Sequence, residues 1–513
     1  MKFDVFNSVL RLWSHNVKNL HFLIQHENGI LKVDDSFYSK FRNLLNKNKM
    51  NTISSSNVTP PPEVQGMKTL DRKAFSTIVK IPGIKVPKSE ISAAQKAWKS
   101  CLFKMKGIKP IAELGNNDPH RETHHLILLD PGKIGSDKLA QEQKEILQNY
   151  GLNLDSPTLY EVVLHYENWS VSDIIKAVLP SDAENVTSYS QVGHIAHLNL
   201  RTESLPYKTI IGEVLIDKIS TIKTVVNKLN AIDNTYRNFQ MELLAGEDNY
   251  VTRTKEHQCT FELDFSKVYW NSRLSTEHQR VTEYIPHHSV VYDVFAGIGP
   301  FSVPLAKRKR CHVFTNDLNP HSFEYLNKNL KLNKVDLSLV KTFNMDGRDF
   351  IKTVFKEDLV ERIKEYAKLN NENALYQDAC KSFVLMNLPA IAVEFLSEFK
   401  SLLHDLPDSL RSTNLLEQTL PEVLCYAFTP KTDAEAELKP RVETYLKHSL
   451  PANYKCRVVR NVAPNKEMVC LSFQLWPSLV LETKDEVNMA QDINTANIES
   501  QNCEPEAKRI KCS

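Results

Sequence analysis

The chain has 513 residues, 42% of them apolar and 25% charged, and its 64 Lys and Arg against 62 Asp and Glu leave a formal charge of +2. At roughly 100–200 residues per domain this length asks for two to four domains, and a charge so near zero excludes a globally supercharged nucleic-acid binder while leaving room for locally basic faces. No apolar run reaches the roughly 18 residues a membrane-spanning helix needs, so no membrane partner is expected.

Residues 1–65 read as a leader and linker. From Val5 to His26 there is no acidic residue, and Phe6, Val9, Leu10, Trp13, Val17 and Leu20 fall near helical spacing with Arg11 and Lys18 between them. Such a start is similar to a mitochondrial transit peptide and equally to an ordinary amphipathic helix. The Asn-, Ser- and Pro-rich stretch 46–62 reads as a linker, and Met50 and Met67 offer downstream starts.

Residues 66–184 alternate β runs (73–86, 124–130, 159–166) with an amphipathic helix over 138–150, the pattern of a small α+β domain. Residues 185–283 carry β runs at 194–200, 259–265 and 267–270, with a helix expected around Ile219 to Ile232, a second mixed module. From 284 to 478 strands alternate with helices, which predicts a parallel sheet with crossover helices. Residues 479–513 lose apolar periodicity and read as a disordered tail whose end, Lys508, Arg509 and Lys511, forms a weak basic cluster. Nine cysteines (Cys101, Cys259, Cys311, Cys380, Cys425, Cys456, Cys470, Cys503 and Cys512) contain no C-x-x-C pair. Neither a disulfide framework nor a common zinc motif follows from them, and no metal site is expected.

The sharpest motif is D-V-F-A-G-I-G-P-F, from Asp293 to Phe301. An apolar strand runs into Asp293, and Gly297 and Gly299 sit at a strand-to-helix turn, where glycine lets a ligand approach the backbone and a helix start offers free N–H groups. About 20 positions on, Asp317 in N-D-L-N-P stands where an acidic residue holds ribose hydroxyls in Rossmann-type sites. Ser302 occupies the third place of what would be a dinucleotide G-x-G-x-x-G, so that motif is absent. The pattern resembles class I S-adenosylmethionine-dependent methyltransferases. That resemblance places Asp346 in N-M-D-G-R-D-F against an adenine and implies cofactor contacts from Phe295, Leu318 and Gly347 as well.

Asn387-Leu-Pro389-Ala follows a predicted strand. An asparagine amide both donates and accepts, so it can read the edge of a planar base. The related N-P-P-Y element of amino-methyltransferases carries an aromatic residue that is missing here, which argues against transfer to adenine N6.

YRNFQMELLAGE (236–247), SKVYWNSRLSTEHQR (266–280), VVYDVFAGIGPFSVPLAKR (290–308), NLPA (387–390) and VAPNKEM (462–468) together resemble the archaeal and eukaryotic tRNA guanine-37 N1-methyltransferase family; VGHIAHLNLR (192–201) and GMKTLDRKAF (66–75) match it too. The resemblance covers roughly residues 66–477. It implies an α/β fold, with a Rossmann-like methyltransferase domain preceded by two smaller α+β domains, S-adenosylmethionine as methyl donor, tRNA with G at position 37 as partner, and a monomer. It also implies Glu277 as general base, Arg237 as the arginine that stabilises the reacting guanine, and Asn387 and Pro389 as shapers of the pocket. Ser272 departs from the proline expected there. Basic runs at Lys307–Arg310, at Arg457, Arg460 and Lys466, and at Lys104, Lys106 and Lys109 are candidates for phosphate contacts. The closest competitor is the sibling wybutosine-synthesis enzyme, which moves an aminocarboxypropyl group from the same cofactor; a non-catalytic RNA-binding adaptor is a third reading. Leader, tail and alternative starts leave mitochondrial matrix, cytoplasm and nucleus all open.

Overall fold

A computed structural model describes residues 58–134, 158–180, 188–232, 239–372 and 381–482. The leader before residue 58, the tail after 482, the helix expected over 138–150 and Arg237 lie outside the described residues.

Two compact units emerge, with Ser76–Asn168 in one and Pro60–Phe75 with Trp169 onward in the other. The first holds an antiparallel sheet ordered β2-β3-β1-β4, built from β1 (Thr77–Pro87), β2 (Ile111–Ala112), β3 (His124–Leu128) and β4 (Thr158–Leu164). Ile84, Val86, Trp98, Leu102, Ile127 and Leu129 form its core.

The second unit begins with a segment that the sequence joins to the first. Pro60–Phe75 belongs here because Gly66 N–H donates to the Val178 carbonyl at 2.8 Å, the Trp169 indole donates to the Phe75 carbonyl at 3.0 Å, and Arg72 pairs with Asp217. A four-stranded sheet follows in the order β5-β6-β7-β8: β5 (Ser190–Val192), β6 (Ile195–Leu198), β7 (Thr224–Ile232) and β8 (Phe239–Gly246). The helix expected around Ile219 to Ile232 is instead strand β7, parallel to β6, and the helix lies earlier, at Lys208–Lys218. Thr224, Val225 and Val226 are consecutive, β-branched and fully buried, which suits a central strand better than a helix. The run 267–270, expected as β, is a turn, a bend and irregular backbone.

A hairpin of β9 (Val251–Glu256) and β10 (Cys259–Asp264) comes next. Its open edge is covered by two asparagines one turn apart. Asn329 bonds both Glu262 N–H (2.8 Å) and its carbonyl (3.1 Å), and Asn333 does the same at Thr260 (2.9 and 2.7 Å). Side-chain amides thus complete an edge that would otherwise present unpaired backbone groups.

The largest sheet has seven strands, β11 (Val290–Asp293), β12 (His312–Asn316), β13 (Val340–Phe343), β14 (Ser382–Met386), β15 (Glu422–Pro430), β16 (Lys455–Ala463) and β17 (Lys466–Gln474), ordered β13-β12-β11-β14-β15-β17-β16. The first five run parallel and β17 is antiparallel to both neighbours. β11 and β14 are buried along their whole length, as an apolar run covered on both faces must be. They lie side by side although β12 and β13 come between them in sequence. The chain order therefore reverses there, which opens a crevice at their carboxyl ends. One cluster of buried residues runs from Val226 and Phe261 through Val281 to Val291, Leu424 and Tyr426, so the core crosses residues 283/284 without a break.

Candidate active site

The carboxyl ends of β11, β12 and β13 carry the first group of expected residues. Asp293 ends β11 fully buried; its Oδ2 accepts from Ser302 Oγ at 2.6 Å, and Ser302 Oγ lies 2.9 Å from Thr315 Oγ1. Among the described residues nothing bonds the other oxygen, Oδ1. Burial lifts this carboxyl to about 7, the Ser302 bond opposing the rise and the charge of Asp317 adding to it. Asp317 accepts Gly297 N–H (2.8 Å) on one oxygen and Asn319 N–H (2.9 Å) on the other. The second carboxylate therefore fixes the glycine turn of the first.

The two glycines have different reasons to be glycine. Both have positive φ, +56° at Gly297 and +95° at Gly299. A Cβ on Gly297 would meet no atom within 4 Å, so this position faces open space. A Cβ on Gly299 would sit 2.8 Å from Leu326 Cδ1 and 2.9 Å from Val303 Cγ2, inside the contact of strand turn and helix. Gly347 is of the second kind, its Cβ blocked by Phe295 at 2.8 Å. Phe295 packs edge-on against Phe395 with ring centroids 4.9 Å apart. Asp346 caps the helix that starts at Gly347 by accepting from Arg348 N–H at 2.7 Å, and Leu318 is 46% exposed beside Asp317.

Sequence reading passed over the residue that ties these turns together. Asn316, fully buried, donates to the carbonyls of Val294 (3.1 Å) and Met345 (3.0 Å) and accepts from Met345 N–H (3.1 Å). One side chain thus joins the ends of three adjacent strands. Its only sequence signal is its place immediately before Asp317.

Asn387 follows β14 by one residue, and its side-chain oxygen is buried with no hydrogen-bond partner among the described residues. A buried, unpaired acceptor costs free energy, and a donor from a bound ligand would relieve that cost. Pro389 holds the loop by accepting Phe428 N–H at 3.0 Å. Open space at Gly297 and unpaired oxygens on Asp293 and Asn387 at one end of the sheet fit a ligand rich in hydroxyl and amino donors, as S-adenosylmethionine is.

Glu277 lies in the first turn of helix Ser275–Tyr284 and is 5% exposed. Its Oε1 accepts from the Tyr426 hydroxyl at 2.7 Å and Arg280 Nη2 at 2.8 Å, and its Oε2 from Arg280 Nε at 3.0 Å and from Arg457 Nη2. Burial pushes this carboxyl up, but the bonds from Arg280, Tyr426 and Arg457 outweigh it and hold the group below the usual glutamate range. The next residue, His278, bonds Glu256 at 2.5 Å and meets Phe301 edge-on at 4.8 Å, which anchors the helix beside the glycine turn. Tyr426 comes from β15 one step past the Met386–Cys425 pairing, level with Asn387 on the adjacent strand. Asn387, the Asp293 turn and Glu277 thus converge at one end of the sheet.

The basic runs are partly committed within the fold. Lys307 donates to the Gln258 carbonyl, Lys309 to that of Glu283, and Arg310 pairs with Asp336 at 3.2 Å, all at the carboxyl end of helix Ser302–Lys309 where cations oppose the helix dipole. Arg457, expected on phosphate, is bound to Glu277. Lys466 lies over the Phe428 ring, while Lys104, Lys106 and Lys109 are exposed. Among the described residues no helix is long and apolar enough to cross a membrane.

Comparison with known proteins gives these features a context. Residues 252–369 match the TRM5/TYW2 methyltransferase domain and residues 171–249 the TYW2 N-terminal domain. The tRNA (guanine(37)-N(1))-methyltransferase of Xenopus tropicalis is 45% identical over 424 residues, covering 82% of this chain and 81% of that protein. The Homo sapiens protein of the same name is 45% identical over 430 residues, covering 83% and 79%. A crystal structure of Trm5b from Pyrococcus abyssi is 23% identical with a TM-score of 0.49, covering 78% of this chain and 99% of that one. On identity sustained along most of both lengths, the chain belongs to the tRNA (guanine(37)-N(1))-methyltransferase family.

Proposed function

We propose that this chain transfers the methyl group of S-adenosylmethionine to N1 of the guanosine at position 37 of tRNA, with Glu277 as the general base. The observation that carries the assignment of the base is a buried, ionised carboxylate at the same end of the sheet as the glycine turn and the unpaired Asn387 oxygen.

S-adenosylmethionine, when bound, supplies an electrophilic sulfonium methyl. Asp317 and Asp293 would offer acceptors for its hydroxyl and amino groups, Gly297 would admit it to the backbone, and Asp346 would face the adenine, with Phe295, Leu318 and Gly347 as further cofactor contacts. Asn387 and Pro389 shape the wall shared with the guanine. Guanine N1 carries a proton at neutral pH and is a poor nucleophile, so that proton must leave as the N1–methyl bond forms. Glu277 receives it on a carboxylate oxygen. Proton removal moves negative charge toward O6, where a guanidinium stabilises the transition state more than the ground state; the family resemblance assigns that part to Arg237. Because Glu277 is held ionised it needs no proton removed at pH 7, and because it is held by cations it is a weaker base than a free glutamate.

The domain models carry the names of both sibling enzymes, so the choice of methyl over aminocarboxypropyl transfer rests on the long matches to proteins named methyltransferases. Incubation of the purified protein with cofactor and G37 tRNA, followed by nucleoside mass analysis, tests it: one added methyl on guanosine supports the reading, and an aminocarboxypropyl adduct replaces it. Glu277→Gln should lower turnover by about 10²–10⁴-fold, the usual worth of a general base, without loss of cofactor binding. Full turnover by that variant removes Glu277 from the role.

The enzyme is proposed to act as a monomer, as the family resemblance implies; sedimentation at working concentration tests this. The acid-free segment from Val5 to His26 supports a mitochondrial-matrix share of the protein, the downstream Met50 and Met67 a cytoplasmic share, and the basic Lys508, Arg509 and Lys511 a nuclear one. Fluorescent fusions with and without residues 1–49 test the mitochondrial share.

A further inference from the structure

An ionised carboxylate has about four lone-pair sites on its two oxygens. Glu277 has all four filled: Tyr426 and Arg280 on Oε1, Arg280 and Arg457 on Oε2. A base in that state has no lone pair for a substrate proton, so one donor has to leave before Glu277 can act.

The three donors are not equally able to leave. Tyr426 is fully buried on a central strand. Arg280 sits one turn along the same helix and grips both oxygens in a fork. Arg457 makes a single bond to Glu277, its other contact being a long one of 3.4 Å to the neighbouring Val458 carbonyl; its side chain is 41% exposed, and it projects from β16, the edge strand of the sheet. The pairing of β16 with β17 shifts register directly afterwards, between Val458 and Arg460. Beyond Arg457 the strand meets a second cation: burial and the charge of Arg273 depress Arg460 below its usual value, whereas Cys456 before it faces Glu435 and Asp433. An arriving phosphodiester is attracted to such a place and competes for a guanidinium on equal terms with a carboxylate.

Resting on the assignment of Glu277 as base, we propose that Arg457 is an exchangeable positioning residue: it holds Glu277 Oε2 in the free enzyme and transfers to a phosphodiester of the bound tRNA, which frees Oε2 for the guanine N1 proton. The exchange acts twice. It opens a lone pair, and it removes a positive charge from beside the carboxylate, which makes Glu277 more basic once substrate is in place. The other groups facing Glu277 do not change in the process. Arg280 stays paired, the Tyr426 hydroxyl is held neutral by burial, and burial pushes the nearby Cys470 thiol up to about 12.

The pH dependence of methyl transfer separates the two states, because kcat/KM reports groups in the free enzyme and kcat those in the complex. Profiles from pH 3 to 9, a window that includes the range below the usual glutamate value where Glu277 is held, are compared on G37 tRNA for wild type, Arg457→Gln, Arg457→Lys and Tyr426→Phe. In Arg457→Gln the acidic limb of kcat/KM moves up by about 1 pH unit or more, the effect of losing one adjacent opposite charge, while the acidic limb of kcat keeps its position. Arg457→Lys restores the wild-type limb. Tyr426→Phe moves both limbs, since that bond persists in both states. The salt slope of log KM for tRNA falls by about 1 in Arg457→Gln, one phosphate contact fewer. Equal movement of both limbs means that Arg457 stays on Glu277 in the complex, and an unmoved kcat/KM limb or an unchanged salt slope overturns the exchange as well. These results are distinct from failure of the base assignment itself, which shows as full turnover by Glu277→Gln.

Discussion

The Tyr426 hydroxyl donates to Glu277 Oε1 across 2.7 Å, although the two residues are 149 apart in sequence and both are buried. A hydrogen bond to a buried charge is among the stronger single contributions a side chain makes, about 1.5–3 kcal/mol. Its pH dependence has a definite sign. The folded-state pKa of Glu277 is depressed, so the stability this group contributes is present above the unfolded glutamate value of about 4.3 and is lost as pH falls through the lower folded value. Tyr426→Phe should therefore cost about 1.5–3 kcal/mol at pH 7 and less at a pH below the usual glutamate range, as Glu277 becomes protonated. Urea unfolding at the two pH values measures the difference. An equal loss at both would mean that the hydroxyl acts through packing and not through the carboxylate.

Gly297 and Gly299 stand two residues apart with positive φ, yet alanine should fail at each for a different reason. At Gly297 the new methyl enters open space, so the fold bears only the left-handed strain, about 1–2 kcal/mol, while the methyl occupies the volume a ligand needs. At Gly299 it collides with Leu326 and Val303, and the turn or the helix must move. Gly297→Ala is expected to lower the midpoint of thermal unfolding by a few degrees and to weaken S-adenosylmethionine binding by at least tenfold in calorimetry. Gly299→Ala is expected to show the larger fall in thermal midpoint of the two. The reverse order would remove the distinction between a ligand-facing and a packing glycine.

Asp293 is a site where binding and stability are expected to conflict. Its folded-state pKa, about 7, lies above the unfolded aspartate value of 3.8, the reverse of Glu277. The associated stability is fully present below about pH 3.8 and is lost as pH rises through 7, by about 4 kcal/mol over that span. Asp293→Asn cannot ionise. Without ligand it should match wild type below about pH 3.8 and be the more stable protein at pH 8, while its affinity for S-adenosylmethionine drops. A variant less stable than wild type at pH 8 would show that the charged carboxylate is a net contributor to the fold.

The parts of this protein legible in the sequence are those encoded within a few residues. The strand into Asp293, the glycine turn, Asp317 at the next strand end and the N-L-P loop are local patterns, and each lies where its pattern places it. The missed features depend on contacts between distant segments. Helical periodicity around Ile219 to Ile232 could not reveal that Thr224–Val226 would be buried between two neighbouring strands. Nothing near residue 66 announces that Pro60–Phe75 returns to pack with Trp169 and Val178. Asn316 is one polar residue at a strand end until three backbones converge on it. Arg457 read as a free cation because Glu277, its partner, is 180 residues away.

Asn387 offers a test in which a structural and a functional role give opposite signs. Its amide oxygen is buried without a partner among the described residues, so in the free enzyme it contributes a desolvation cost and no compensating bond. Asn387→Ala removes that cost together with the side chain. If the oxygen exists to receive a donor from cofactor or guanine, the alanine variant should unfold at the same temperature as wild type or slightly higher, while single-turnover methyl transfer falls by at least tenfold. Asn387→Asp keeps an oxygen but buries a charge near Asp293 and Asp317, and should lose both stability and turnover. Differential scanning calorimetry of both variants, beside single-turnover rates on G37 tRNA, reads the two quantities separately. A marked fall in the thermal midpoint of Asn387→Ala would identify the amide as a support of the loop after β14, and the part of the pocket assigned to it would then have to be reassigned.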